Sequence, residues 1–166
     1  LAQAADVVLS ETPLPHLPQL PDRGLDAVGR TAALLEIPIG RGPRGWRVAP
    51  RKRADGDRMA RDLDQLEELW HGKVDRVKVQ LVGPWTLAAE IEMPNGHRAI
   101  TDPGALRDIT EALLEAVVDH RADVERRFGA SVLQLDEPRL ADVMSGTLTG
   151  TTEFETIPAA PEPWAV

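Results

Sequence analysis

The chain has 166 residues, a formal net charge of −8 at pH 7 and no cysteine. Its length suffices for one well-buried domain, and the lack of cysteine excludes a disulfide framework or a thiolate metal site built from this chain alone. The acidic balance argues against nucleic acid as a partner, and no run of about 20 apolar residues predicts a membrane span. With no signal peptide in view, we expect a cytoplasmic protein.

The first half of the chain alternates helical patterns with segments rich in proline and glycine. Residues 1–9 are typical of the inside of a helix, so we expect the chain to be a piece of a longer protein. Prolines recur through residues 12–22 and fix φ, which predicts an extended loop with His16 at its centre. The apolar spacing over residues 25–35 predicts a helix, and a glycine-rich loop then leads to a short strand at residues 46–48.

Two strand-like runs and a long helix dominate the second half. One apolar stripe predicts a helix over residues 57–71, and a strand follows at residues 77–82. Residues 103–128 are predicted to form a helix with His120 as a packing residue, and a second buried strand is predicted at residues 132–135. The ends of the long helix are marked by a cap, a first-turn proline and a terminal glycine: Asp102, Pro103 and Gly129. Strand, helix and strand predict a βαβ unit with parallel strands.

A distinctive turn follows each of the two strands. Ligands of parallel α/β sheets bind beyond the carboxyl ends of the strands, so we expect both turns to face a site. The first turn is Gly83-Pro84-Trp85-Thr86, whose tryptophan either offers a flat apolar wall to a ligand or packs within its own loop. The second is Gln134-Leu135-Asp136-Glu137-Pro138, which places two carboxylates side by side.

Asp136 and Glu137 are neighbours on an extended backbone, so their side chains are expected to point to opposite sides. A carboxylate pair acting on a glycosidic bond needs groups that face each other about 5 to 9.5 Å apart, which adjacent residues do not supply. One carboxylate is therefore suited to holding an ammonium group by charge-assisted hydrogen bonds. The other serves a structural role, such as accepting amides of the next turn.

The order and spacing of these motifs resemble the catalytic barrel of the cobalamin-independent methionine synthase family. The resemblance rests on residues 79–87 and 134–138 and covers residues 5 to about 149. Four further segments resemble a short, single-barrel actinobacterial branch of that family: residues 16–21, 29–31, 45–47 and 96–98.

The resemblance implies an α/β fold, a partial (β/α)₈ TIM barrel that comprises roughly the first half of the barrel. A complete barrel of this kind usually needs about 250 residues. We expect residues 1–150 to form this partial barrel, and residues 151–166 to be a proline-rich tail or a connection to the missing half.

The activity implied by the resemblance is transfer of a methyl group to the zinc-bound thiolate of homocysteine, which gives methionine. In the family the aspartate of the Asp-Glu-Pro motif holds the substrate amino group, a role that maps onto Asp136. Glu137 beside it is expected to orient the loop or the site. Trp85 and His16 complete the set of expected substrate-binding residues, although a lone loop histidine such as His16 is more often only hydrogen-bonded. No catalytic residue is assigned.

The resemblance gives less direct information about the cofactor and the methyl donor. The family's zinc ligands are a histidine, two cysteines and a glutamate that lie after the Asp-Glu-Pro strand, so we expect neither metal nor cofactor in this chain, and no activity from it alone. A folate-stacking tryptophan of the large enzymes would fall at Glu90, which is not aromatic. The donor therefore stays open between a methylated folate and a corrinoid.

Two other hypotheses remain. A uroporphyrinogen-decarboxylase-like enzyme would bind an acidic substrate through Arg23, Arg30 or the basic segment at residues 41–53. That segment is more typical of a solvated loop than of a polyanion site. A non-catalytic module would instead pair its open sheet edges with a second copy or with the missing half of a barrel.

Overall fold

The computed structural model describes residues 1–20, 25–50, 55–152 and 154–160. Within these ranges the helices are α1 (Ala2–Glu11), α2 (Ala27–Leu34), α3 (Asp55–Trp70), α4 (Pro84–Glu90), α5 (Pro103–Phe128) and α6 (Leu140–Ser145), with a 3₁₀ turn at Ala99–Thr101. The strands are β1 (Ile39–Gly42), β2 (Gly45–Val48), β3 (Arg76–Val82), β4 (Ile91–Glu92) and β5 (Ala130–Asp136). None of the helices in this described part is both long and apolar enough to cross a membrane.

The two predicted strands form a parallel pair. β3 and β5 are aligned from Arg76 beside Ala130 to Val82 beside Asp136, so both strands end at the same level. Parallel strands are joined by a crossover, which α5 provides here. The prediction of a parallel βαβ unit is therefore confirmed, and the turns after both strands lie at one edge of the sheet.

Helix α5 begins and ends where the sequence predicts. The carboxylate of Asp102 accepts hydrogen bonds from the amides of Gly104 and Ala105 at 2.8 and 3.0 Å, which satisfies two of the free amides at the helix start. Gly129 follows the last helical residue with φ +90°, and a Cβ there would lie 2.4 Å from the carbonyl oxygen of Asp75. Only glycine fits this sharp return into β5.

The proline-rich segment lies along the free edge of β3. It has no helix over residues 12–20, and His16 forms a parallel bridge with Lys78. The amide of Lys78 donates to the carbonyl oxygen of Pro15 at 2.7 Å, and the amide of Leu17 donates to that of Lys78 at 3.3 Å. Each proline removes one backbone donor, so the contact stays a short bridge and not a full ladder.

The predicted glycine-rich loop is in part a strand, which corrects the sequence interpretation. Residues Ile39–Gly42 pair antiparallel with β2, and β2 pairs parallel with β4. The indole of Trp46 on β2 is buried against α2, where a Cβ on Gly29 would lie 2.2 Å from its ring. Its Nε1 donates to Asp26, the residue that caps the start of α2, at 2.9 Å. Asp26 and Gly29 thus fix the position of the β1–β2 hairpin against α2.

The strands of the described residues form two separate sheets, and a barrel is not observed among them. The α/β class with parallel strands is confirmed, whereas the partial barrel stays a prediction. On its second side β5 has no partner among the described residues, and Val132 and Leu135 are 39% and 47% exposed. The boundary predicted at residue 150 also stays a prediction; Thr149 bridges Thr156, and Ile157 is buried.

His120 lies on the buried face of α5 and is 7% exposed, in agreement with a packing role. Burial disfavours the charged imidazolium and lowers the pKa of His120, while the nearby carboxylate of Asp123 partly opposes this shift. An unfolded chain would bind this proton more readily than the folded protein. Protonation of His120 therefore destabilises the fold.

We predict that the free energy of unfolding falls as the pH drops through about 6.5, and that His120→Leu reduces this fall. The neutral histidine stabilises the fold above its unfolded pKa of about 6.5, and that contribution disappears as protonation becomes favourable below it. Urea unfolding at about pH 7.5 and pH 5.5 measures the effect. His71→Gln, which changes an exposed histidine, serves as the control and keeps the wild-type pH dependence. Equal pH dependence in His120→Leu and wild type would contradict the assignment.

Candidate functional site

The turns that follow β3 and β5 contact each other directly. The amide of Gly83, just after β3, donates to the carbonyl oxygen of Asp136 at the end of β5 at 2.9 Å. Helix α4 starts at the next residue, Pro84, whose missing amide hydrogen suits the first helical position. The two sequence motifs thus form one structural unit at the carboxyl edge of the sheet.

Glu137 binds the start of α4 with both carboxylate oxygens. Its Oε1 accepts the amide of Trp85 at 3.0 Å, and its Oε2 accepts the amide of Thr86 at 2.7 Å. The first amides of a helix have no partner within the helix, and a negative charge is favoured at that end. Glu137 therefore takes the structural role that the sequence left open between the two carboxylates.

Gly83 is required by the close approach of Glu137. A Cβ on Gly83 would lie 2.2 Å from Oε1 of Glu137, although the backbone at φ −78° and ψ 170° would accept any residue. Thr86 adds a further link, since its buried Oγ1 accepts the amide of Arg139 at 3.2 Å. The two turns are held together by contacts that need glycine, threonine and glutamate at these positions.

The side chains of Asp136 and Glu137 have different hydrogen-bond partners. The amide nitrogen Nε2 of Gln134 donates to Oδ1 of Asp136 at 2.6 Å, and Oδ2 has no hydrogen bond to the described residues. Residues two apart on a strand share a face, so Gln134 and Asp136 lie on the same side of β5. The geometry separates the neighbouring carboxylates into one that holds the turn and one that is open to a ligand.

The middle of the face that carries Asp136 is polar, unlike the face that packs on α1, α3 and α5. On β3 the alternate residues Val77, Val79 and Leu81 are buried in a core cluster with residues of α1, α3 and α5. Lys78 and Gln80 lie between them on the opposite face, and their register partners on β5 are Val132 and Gln134. Polar side chains therefore cover the middle of this face, whereas Val82, the register partner of Asp136, is buried in a second apolar cluster.

Trp85 and His16 lie in different surroundings. Trp85 is half-buried and packs against a small apolar cluster that includes Val143, Leu148 and Ile157. His16 bridges Lys78, four residues before Val82 and therefore about 13 Å below the end of β3. Burial and the charge of Lys78 both lower the pKa of His16. Asp136, Glu137 and Trp85 meet at the strand ends, whereas His16 lies nearer the start of the strands.

Arg139 connects the second turn to the end of α4. Its Nε donates to Oε1 of Glu90 at 2.5 Å, and its Nη1 donates to Asp142 at 3.3 Å. The hydrogen bond to Glu90 is the main reason why the pKa of Arg139 is raised. Glu90, the position at which the resemblance places a stacking tryptophan, is thus one end of an ion pair.

Three of the four described arginines of the acidic-substrate hypothesis make structural contacts, and the fourth, Arg47, lies on β2. Arg30 donates to the carbonyl oxygen of Leu20 at 2.9 Å, and Arg44 pairs with the buried Glu92 at 2.9 Å. Arg41 pairs with Asp26 at 3.1 Å and lies 4.6 Å from the centre of the Trp46 ring. Four other cations of that hypothesis lie outside the described residues: Arg23, Arg51, Lys52 and Arg53.

No group of three or more histidine, cysteine or acidic side chains that could hold a metal is present in the part of the chain that the structure describes. The family-implied zinc ligands include two cysteines, and the chain has none. The described residues therefore do not fit a zinc site of that composition.

Sequence reasoning identified the two turns and expected a structural role for one carboxylate, but it did not identify the contact between Glu137 and α4 or that between Gln134 and Asp136. Gln134 belongs to the second motif and shares a face with Asp136, so the period of two was a usable signal for it. No local signal marked Gly83 as the neighbour of Glu137, because the contact joins two elements separated by the whole of α5.

One comparison with known proteins identifies a family for this chain. A sequence model of a family described as cobalamin-independent synthase, catalytic domain, matches residues 65–166. No curated protein and no solved structure matches the chain. The matched range contains β3, α4, α5 and β5, and hence both turns of the candidate site.

We predict strong coupling between Gly83→Ala and Glu137→Ala. Glu137→Ala removes the carboxylate that accepts the two hydrogen bonds, and the Cβ added by Gly83→Ala displaces that carboxylate. Each single substitution should therefore lower the free energy of unfolding by about 1–3 kcal/mol. In the Glu137→Ala background, Gly83→Ala should cost less than about 0.5 kcal/mol.

Urea unfolding of the four proteins in this double-mutant cycle measures the coupling. Gly56→Ala is the matched control, because a Cβ there would make only an ordinary contact at 3.5 Å with the carbonyl oxygen of Ala33. Additive effects of Gly83→Ala and Glu137→Ala would show that the two residues do not act through one contact.

Proposed function

The chain belongs to the cobalamin-independent synthase family, since residues 65–166 match the model of the catalytic domain of that family, and we propose that it is part of an S-methyltransferase. The substrate is homocysteine or a related aminothiol, and the product with homocysteine is methionine. The observation that carries this proposal is the division between the two carboxylates, since Glu137 is bound to α4 while Oδ2 of Asp136 is open to a ligand. A lone carboxylate on a polar face fits an ammonium group.

Asp136 anchors the substrate by its amino group. An ammonium group donates charge-assisted hydrogen bonds to a carboxylate, and such bonds contribute about 1.5–3 kcal/mol each. With the amino group fixed at the end of β5, the thiol at the other end of the substrate is restricted to a small region above the strand ends. This restriction favours methyl transfer by proximity and orientation.

Glu137 and Trp85 support that anchor. Glu137 fixes the turn that follows Asp136 relative to α4, so the anchor has a defined position. Trp85 lies at the same edge and supplies an apolar wall for the carbon chain of the substrate or for the donor. The substrate contact predicted for His16 stays a prediction, and its bridge to Lys78 lies about 13 Å below this anchor.

The chemistry of thiol activation belongs to residues other than those described here. Zinc in this family keeps sulfur as a nucleophilic thiolate at neutral pH. Because the described residues do not fit its ligand set, we assign no step of the reaction to a metal in this chain. The methyl donor is a methylated folate or a corrinoid, and the ion pair of Glu90 with Arg139 gives no aromatic surface for folate stacking at that position.

We further propose that the chain forms part of a (β/α)₈ barrel. The parallel pair β3 and β5, the α5 crossover and the bridge at His16 are compatible with consecutive barrel strands. The exposed side chains of Val132 and Leu135 on β5 would be covered by the next strand and its helix.

The same open edge favours a second candidate function. A chain whose β5 edge pairs with a second copy would act as an oligomerising module with no catalytic role. The acidic-substrate hypothesis has less support, because three of its four described arginines, Arg30, Arg41 and Arg44, are engaged in structural contacts.

We predict that Asp136→Asn weakens homocysteine binding at least tenfold, since the isosteric amide loses the charge that holds the ammonium group. Titration calorimetry with homocysteine, and with citrate as a polycarboxylate probe, measures both affinities. Asp142→Asn is the control, because it removes another carboxylate of the same turn region.

Unchanged homocysteine affinity in Asp136→Asn would contradict the anchor. A wild-type chain that binds citrate in preference to homocysteine would favour the acidic-substrate enzyme. A wild-type chain that binds neither ligand and scatters light as a dimer would favour the oligomerising module.

A further inference from the structure

We infer that Gln134 is a positioning residue that fixes the carboxylate of Asp136 for the substrate ammonium group. The inference rests on the proposed function for the identity of the ligand, whereas the contact itself is independent of that function. Its basis is the hydrogen bond from Nε2 of Gln134 to Oδ1 of Asp136 at 2.6 Å.

The contact restrains a torsion that is otherwise soft. The terminal torsion of an aspartate side chain has broad, weakly separated preferences, so an unsupported carboxylate rotates easily. Gln134 and Asp136 are two residues apart on β5 and share one face, and both side chains are half-buried. A donor held by the strand on the same face defines the plane of the carboxylate.

The contact leaves most of the accepting capacity of Asp136 free. A carboxylate offers about four lone-pair sites, and Gln134 uses one of them on Oδ1. Oδ2 makes no hydrogen bond to the described residues. The ammonium group of a ligand therefore meets an acceptor that is already oriented, which reduces the entropy lost on binding.

The neutral amide is the suitable donor at this position. An arginine or a lysine would pair with Asp136 and compete with the ammonium group for its charge. A glutamate would place a like charge beside it. Glutamine orients the carboxylate without neutralising it, so Asp136 keeps its full charge for the ligand.

The neighbouring strand supplies a natural control. Gln80 on β3 is the register partner of Gln134, and the pair occupies the same face of the sheet. Within the described structure the side chain of Gln80 makes no hydrogen bond to Asp136. The two glutamines match in residue type, level and face, and of the two only Gln134 donates to Asp136.

The first experiment compares Gln134→Met with Gln80→Met in titration calorimetry. The ligands are homocysteine and its analogue without the amino group, 4-mercaptobutanoate. Gln134→Met should weaken homocysteine binding about three- to tenfold and leave the binding of the analogue unchanged, because only homocysteine uses Asp136. Gln80→Met should change neither. Equal weakening of both ligands by Gln134→Met, or an equal effect of Gln80→Met on homocysteine, would overturn the inference.

The second experiment separates a failure of this inference from a failure of the proposed function. In NMR spectra without ligand, one Nε2 proton of Gln134 should lie downfield of the Nε2 protons of Gln80, and Asp136→Ala should remove the difference. Absence of homocysteine binding would refute the proposed function and leave this readout valid. A Gln134 signal that matches Gln80 in the wild type, or that ignores Asp136→Ala, would overturn the positioning role.

Discussion

The site depends on the two hydrogen bonds that the amides of Trp85 and Thr86 donate to the carboxylate of Glu137. They join the turn after β5 to the first turn of α4, although α5 separates the two in sequence. A carboxylate at this helix start satisfies amides that would otherwise be free and meets the positive end of the helix dipole. The close approach of Glu137 leaves no room for a side chain at Gly83. The glycine of the first motif and the glutamate of the second therefore depend on the same contact.

That contact determines what the adjacent aspartate can do. With Glu137 turned toward α4, Asp136 lies on the other side of the strand, where Gln134 is its hydrogen-bond partner among the described residues. The same strand end therefore carries a structural carboxylate and, one residue before it, the carboxylate proposed to bind the ligand. The arrangement suits the recognition of an ammonium group and not a carboxylate pair acting on one bond.

Local signals in the sequence predicted the helices α1, α2, α3 and α5, the parallel strands and the position of the turns. The ends of α5 were predictable because Asp102, Pro103 and Gly129 act within one turn of it. Strand β1 was not, because its glycines favour a loop locally and its pairing depends on β2. The partner of Glu137 was equally hidden, since strand alternation predicts which side a carboxylate faces and not which distant amide lies there. Spacing could identify Asp136 as the binding candidate, but its hydrogen bond to Gln134 needed the structure.

The central claim is that Asp136 binds the ammonium group while Glu137 remains on α4. A crystal structure of the protein with bound homocysteine tests both parts at once. The account predicts the substrate nitrogen at about 2.7–3.2 Å from Oδ2 of Asp136, with Glu137 still accepting the amides of Trp85 and Thr86. A nitrogen bound to Glu137, or a substrate bound away from the ends of β3 and β5, would contradict it.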